Sequence, residues 1–323
     1  SKVEEIEFDA VLHDSHDEDH IHLRPLEFPT PMHGLAVEPK KKGDEQRLFD
    51  VLHKLEIEDP CFRMERHPTT NETVIRALGD LHLRVKLEKL TQQYKLELVT
   101  KPPRIAYRET ISRKAEGHCR HKKQTGGAGQ FGEVFLKIEP LARGSGYEFV
   151  DQVKGGVIPS VYIPAVEKGV RMALDAGVIA GYPVEDLRVI VYDGKHHPVD
   201  SKEVAFVSAG RKAVIDAFAK AAPVMLEPIV NIEISAPEAY IGDLTADLAT
   251  KRGQITGTQQ HTSDYLSVTG QVPLSELPDY QNRLRSITGG QGSYAVEFSH
   301  YAQVPAQIQQ QLTSQHKATQ EEE

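Results

Sequence analysis

Residues 33–100 and 230–301 each read strand, helix, strand, strand, helix, strand, and this repetition restricts the fold more than any other feature of the 323-residue chain. In the first copy, apolar spacing at Leu48, Val51, Leu52 and Leu55 and at Leu83, Leu87 and Leu90 sets helices over 44–58 and 80–92. Asp59-Pro60 ends the first helix, and Gly79-Asp80 opens the second with an N-cap. Strands are expected at 33–37, 61–66, 73–78 and 95–100. The second copy repeats this order, with strands at 230–235, 254–261, 266–272 and 294–301 and helices at 242–251 and 274–287. Both are βαββαβ units of the ferredoxin-like kind, and the fold class is α+β.

The segment between them, 104–226, follows another pattern: strands at 134–138 and 188–192, helices at 164–176 and 200–221. Beyond 303 the chain is polar and glutamine-rich, with no stripe wide enough to bury, so a short fraying helix is expected there. At the other end the chain begins at Ser1 on the alternating Ile6, Phe8, Ala10 and Leu12, which reads as a strand of a larger sheet; an excised piece of a longer protein is expected.

The net charge of −9 argues at first against a nucleic-acid partner. Most of that charge is terminal, however. Residues 1–27 carry −7 and residues 317–323 carry −2, so the middle is neutral. Within it, Arg113, Lys114, Arg120, Lys122 and Lys123 face Glu116 alone, the one concentrated basic stretch. No apolar run is long enough for a membrane span. Cys61 and Cys119 match no disulfide framework, which together with the lack of a signal peptide suits the cytoplasm.

Gly127-Ala128-Gly129-Gln130-Phe131-Gly132 fits GxGxxG, which in dinucleotide enzymes lies between a strand and a helix. Here the charged 118–123 precedes it and the strand-like 133–138 follows, so a glycine-rich hairpin tip is the reading. No GxxxxGK[ST] occurs in the chain, and no nucleotide hydrolysis by it is expected. His13, His16, His20 and His22 among acidic residues form a solvated loop rather than a structural metal site, because nothing fixes them tetrahedrally. Asp200 and Glu203 are spaced as a capping box, which places Lys195, His196 and His197 in a loop at a helix N-terminus. That loop is either an exposed turn or a set of imidazole and ammonium groups for RNA.

Collinear segments then resemble the elongation factor G family over 21–305. They include Leu26-Glu27-Phe28-Pro29, Gly79-Asp80-Leu81-His82-Leu83, Tyr107-Arg108-Glu109-Thr110-Ile111, Gly129-Gln130-Phe131-Gly132, Gly155-Gly156-Val157-Ile158-Pro159, Ala180-Gly181-Tyr182-Pro183-Val184 and Val272-Pro273-Leu274-Ser275-Glu276. Lys123-Gln124-Thr125 and Phe298-Ser299-His300-Tyr301 are most similar to the divergent second bacterial paralogue. The resemblance implies the end of the β-barrel domain II at 1–29, ferredoxin-like domain III at 30–102, and domain IV, similar to domain 2 of ribosomal protein S5, at 103–226. Ferredoxin-like domain V at 227–303 and a tail at 304–323 follow.

It further implies a translational GTPase that promotes tRNA-mRNA translocation, ribosome disassembly or both, with GTP and Mg held outside this chain and no cofactor within it. The partner implied is the ribosome, through ribosomal RNA and the mRNA-tRNA pair at the small-subunit decoding site. Tip residues by motif match are Lys122, Lys123, Gln124, Gly126, Gly127, Gly129, Gln130 and Gly132 in loop one, and Lys195, His196 and His197 in loop two. The alternative is a ribosome-protection factor that displaces a bound drug with the same scaffold.

Overall fold

A computed structural model of the chain describes residues 14, 15, 17, 24, 26, 28–67, 70–123, 129–260 and 264–322. The expected barrel remnant and the histidines of 13–22 fall almost wholly outside them. The described residues form two compact units, one of 1–105 with 229–299 and one of 106–228 with 300–323.

The first βαββαβ pattern is β1 (His33–Pro39), α1 (Glu45–Glu58), β2 (Arg63–His67), β3 (Glu72–Ala77), α2 (Asp80–Gln92) and β4 (Leu98–Lys101). Its sheet has the order β2-β3-β1-β4 and is antiparallel throughout. Leu48, Val51, Leu52 and Leu55 of α1 and Leu83 and Leu90 of α2 meet Val37, Phe62, Ile75 and Leu96 in one core. β2 starts later than the expected 61, because Asp59 Oδ1 accepts the Cys61 N–H at 2.9 Å and holds 59–61 in a turn.

The middle segment contains β5 (Arg108–Ile111), β6 (Ala115–Lys123), β7 (Gln130–Pro140), β8 (Tyr147–Asp151), α3 (Ile163–Ala176), β9 (Leu187–Lys195) and α4 (Glu203–Lys220). The sheet order is β6-β7-β9-β8, with β8 parallel to β9 and the other pairs antiparallel. Val134, Leu136 and Ile138 of β7 share a core with Val166 and Val170 of α3 and Phe206, Ala213 and Ala217 of α4, so both helices lie on one face of the sheet. β5, β6 and β8 were not expected. β6 escapes a hydrophobicity reading because its inward side carries the small residues Ala115, Gly117 and Cys119 beneath α4, followed by His121, while Glu116, His118, Arg120 and Lys122 alternate outward.

The second βαββαβ pattern is β10 (Pro223–Pro237), α5 (Ile241–Thr250), β11 (Gln254–Gln260), β12 (Tyr265–Pro273), α6 (Tyr280–Thr288) and β13 (Ser293–Gln303), in the order β11-β12-β10-β13. Its core joins Val230, Ile232 and Ile234 to Leu244, Leu248, Val268, Tyr280 and Leu284. The helix expected over 274–287 is divided: a single 3₁₀ turn at Leu274–Glu276 precedes α6, and Asp279 between them is left-handed at φ 54°. Pro278 causes the break, since proline has no N–H to give and restricts the residue before it.

The first residues of β10 pair instead with β5, from Pro223↔Ile111 to Leu226↔Arg108. The tail is a helix, α7 (Ala306–Glu322), longer than the short one expected. It is anchored by a polar contact, not by an apolar stripe. Gln309 accepts the Met225 N–H and donates to the Pro223 carbonyl, each at 3.1 Å.

Candidate functional site

The β6–β7 hairpin brings the basic stretch to the end of its sheet, with Lys122 opposite Phe131 and Lys123 opposite Gln130. The stretch 118–123 is therefore a strand, so the glycine motif does follow one, contrary to the sequence reading. β7 rather than a helix follows it, and no helix N-terminus is available to meet a pyrophosphate. Gln124, Gly126 and Gly127 lie outside the described residues.

A second loop, between β9 and α4, is fastened to this hairpin by backbone and side-chain bonds. The Phe131 N–H donates to the Asp200 carbonyl at 2.9 Å, and Phe131 and Ser201 form a parallel β-bridge. Ser201 Oγ donates to the Phe131 carbonyl at 2.9 Å and accepts the His197 N–H at 2.8 Å. The Ser201 N–H returns to the His197 carbonyl at 3.1 Å, and Tyr162 donates its hydroxyl to the Ser201 carbonyl at 3.1 Å. Ser201 is thus the joint between the loops.

The capping box does not form. α4 begins at Glu203 with Lys202 as its N-cap and no side-chain cap bond. Asp200 serves the tip instead. Its carboxylate packs on Gly129, where an added Cβ would sit 2.9 Å from Asp200 Cγ. Gly132 is buried, and a Cβ there would lie 3.2 Å from the Ala205 carbonyl carbon, so it admits α4 rather than exposing backbone.

His197 is oriented by its own loop. Its Nδ1 accepts the N–H groups of Val199 at 3.3 Å and Asp200 at 3.2 Å. Asp200 Oδ2 is also 3.5 Å from Nδ1, but the two N–H groups are nearer and require an accepting nitrogen, which assigns the neutral ring's proton to Nε2. The side chain is 52% exposed, and Nε2–H is the donor it offers to an approaching molecule. The ring meets Phe131 edge-on at 6.3 Å between centroids, and the Arg120 guanidinium lies over Phe131 in turn, 5.5 Å from its centroid.

Arg120, Lys122, Lys123, Gly129, Gln130, Phe131, His197 and Asp200 line one pocket of about 180 Å³. Among the described residues, no carboxylate lies within ion-pair distance of Arg120, Lys122 or Lys123, so the pocket presents three unpaired cations beside a ring donor and the Asp200 side chain. Lys195 and His196 stand outside the lining: Lys195 Nζ is 3.9 Å from Glu133, and His196 Nδ1 donates to the Val157 carbonyl at 3.1 Å. Sequence reasoning missed Arg120, Phe131 and Asp200 as pocket residues. Arg120 and Phe131 carried signals in the basic stretch and the glycine motif, whereas Asp200 resembled a helix cap.

Burial raises the Cys119 thiol above its ordinary range, which leaves it a poor nucleophile. Among the described residues, no group of three or more His, Cys, Asp or Glu side chains is placed to hold a metal, and no helix is long and apolar enough to cross a membrane.

Three family models match the chain in succession: "Elongation Factor G, domain III" over 28–102, "Elongation factor G, domain IV" over 103–222 and "Elongation factor G C-terminus" over 224–312. Among curated relatives, an elongation factor G of Aquifex pyrophilus is 44% identical over 304 residues, which cover 94% of this chain and 43% of that protein. Among solved structures, a crystal structure of a Thermus thermophilus protein matches with TM-score 0.78 and 40% identity, covering 95% of this chain and 46% of that one. The chain therefore spans about half the length of the relatives it matches. Collinear matches to three successive elements of one factor, on a fold with the expected sheets and helices, establish that the chain belongs to the elongation factor G family, of which it carries the C-terminal part.

Proposed function

We propose that this chain is the ribosome-engaging part of a cytoplasmic translation factor, and that the joined tip of β6, β7 and the β9–α4 loop contacts RNA at the decoding site of the small subunit during tRNA-mRNA translocation, ribosome disassembly or both. The observation that carries this reading is that Arg120, Lys122 and Lys123 line one pocket with the half-exposed ring of His197. Cations neutralise phosphates, and a ring N–H donor beside them suits the 2′-hydroxyls of an RNA minor groove. With no phosphate-binding loop in the 323 residues, GTP and its Mg would be bound and hydrolysed elsewhere in the factor.

The test is single-turnover translocation, and subunit splitting with a recycling factor, by the complete factor with His197→Ala. A donor or stacking contact on RNA is worth about 1–3 kcal/mol, so movement should slow roughly tenfold or more while ribosome-stimulated GTP hydrolysis stays near normal. Parental rates in both assays, or equal loss of movement, GTP hydrolysis and thermal stability, would remove the tip from the mechanism.

A further inference from the structure

α3 and α4 occupy one face of the β6-β7-β9-β8 sheet; among the described residues of this unit, no element covers the other. Alternation places Glu116, His118, Arg120 and Lys122 of β6, Phe131, Glu133, Phe135 and Lys137 of β7 and Tyr192 of β9 on that open face. An exposed sheet face normally carries scattered polar side chains. Here it carries rings in contact, interleaved with cations. His118 stacks on Phe135 at 4.1 Å and 21°, and Phe135 lies 6.4 Å from Tyr192. Arg120 over Phe131 continues the stripe toward the tip.

Charge is graded along the stripe. At the far end, Lys114 and Arg188 are matched by Glu139 and Glu148. Toward the tip, Arg120, Lys122 and Lys195 stand with Glu133 and Asp200, while Glu116, which accepts the Tyr192 hydroxyl at 3.4 Å, and Asp193, opposite Phe135, flank the rings. Glu133 is 6% exposed; its Oε1 is bonded to His118 Nε2 at 2.9 Å, and its Oε2 lies 3.9 Å from Lys195 Nζ, with no hydrogen-bond partner among the described residues.

We propose that this open face is a stacking platform for an unpaired nucleic-acid strand, with Phe135, His118 and Tyr192 under the bases and Arg120, Lys122 and Lys195 on the phosphates. Rings on a sheet accept bases only when these are unstacked, so a duplex is not a substitute. The platform extends beyond the tip pocket and does not depend on the function proposed for it.

The chain contains no tryptophan, so Tyr192→Trp introduces a single indole. Titrating this variant of the 323-residue chain with an unstructured oligouridylate should quench the indole, whereas an RNA duplex should not; the oligodeoxyuridylate separates RNA from DNA as the strand recognised. Phe135→Leu, which keeps an apolar side chain in the half-buried position, and Tyr192→Leu should each weaken anisotropy-measured binding about tenfold with unchanged melting temperature. Binding that ignores both ring variants and is lost only with Arg120→Ala and Lys122→Ala would reduce the face to phosphate attraction and overturn the proposal. An indole that shifts on adding ribosomal proteins but is not quenched by either strand would assign the stripe to a protein partner and overturn it equally.

Discussion

The carboxylate of Asp200 closes on the backbone of Gly129 so tightly that a Cβ there would lie 2.9 Å from both its Cγ and its Oδ1. Gly129 is not among the glycines with positive φ, so the requirement is steric rather than conformational. The new Cβ meets only the end of the Asp200 side chain, which is 35% exposed and can turn aside, so Gly129→Ala should cost about 1 kcal/mol or less, and Asp200→Ala should relieve most of it. Denaturation of the two single variants and the double variant should give a coupling of more than ~0.5 kcal/mol. Additive effects would mean that the two loops do not meet as described.

Ser201 makes two bonds with one hydroxyl, donating to Phe131 and accepting from His197. Ser201→Ala leaves one carbonyl and one N–H without a protein partner, at a cost of about 1–3 kcal/mol. Amide exchange should quicken at His197 and Ser201 while the strands of the sheet remain protected. Uniform acceleration across β6, β7 and β9 would instead make Ser201 part of the global core.

Glu109 is fully buried, and its carboxylate accepts four backbone N–H groups, those of Val178 and Ile179 on Oε2 and of Ala180 and Tyr182 on Oε1, at 2.7 to 3.1 Å. Glu109→Gln turns one oxygen into a donor that faces other donors. Urea denaturation should show a loss on the order of 3 kcal/mol, since bonds to charged groups are the stronger ones and the amide leaves buried N–H groups unpaired. A loss below about 1 kcal/mol would show that water replaces the carboxylate freely.

Glu65 is held down to about 2 from an ordinary 4.5, first by hydrogen bonding to His67 and then, against a burial effect, by Arg76, whose Nε is 2.9 Å away. A folded value below the unfolded one means that the stabilisation is present above the ordinary range and is lost as pH falls from about 4.5 toward 2. The side chain is 43% exposed, so solvent screening keeps the effect below about 1 kcal/mol. Glu65→Gln should flatten the stability profile between pH 4.5 and 2 and leave it unchanged above pH 6 apart from a constant offset; an identical acid limb would show that Glu65 is not the group responsible.

Periodicity along the chain determined the two βαββαβ patterns, because α1 and α2, like β10 and β12, bury one side each and their apolar residues must recur at the helix or strand period. It also located the basic stretch, the glycine motif and the histidine pair, which are visible as residue types in a row. It did not reveal β6, whose buried side is small because α4 lies against it, or the end of the expected helix at Pro278. Only the tertiary structure decided what the tip is. Lys123 and His197 are 74 positions apart in the chain, and Asp200 looks like a helix cap until β7 forms beside it and Gly129 receives its carboxylate. Local spacing fixes which groups share a helix or strand face; which loops share a pocket follows from sheet order and the packing of α4, to which no local pattern answers.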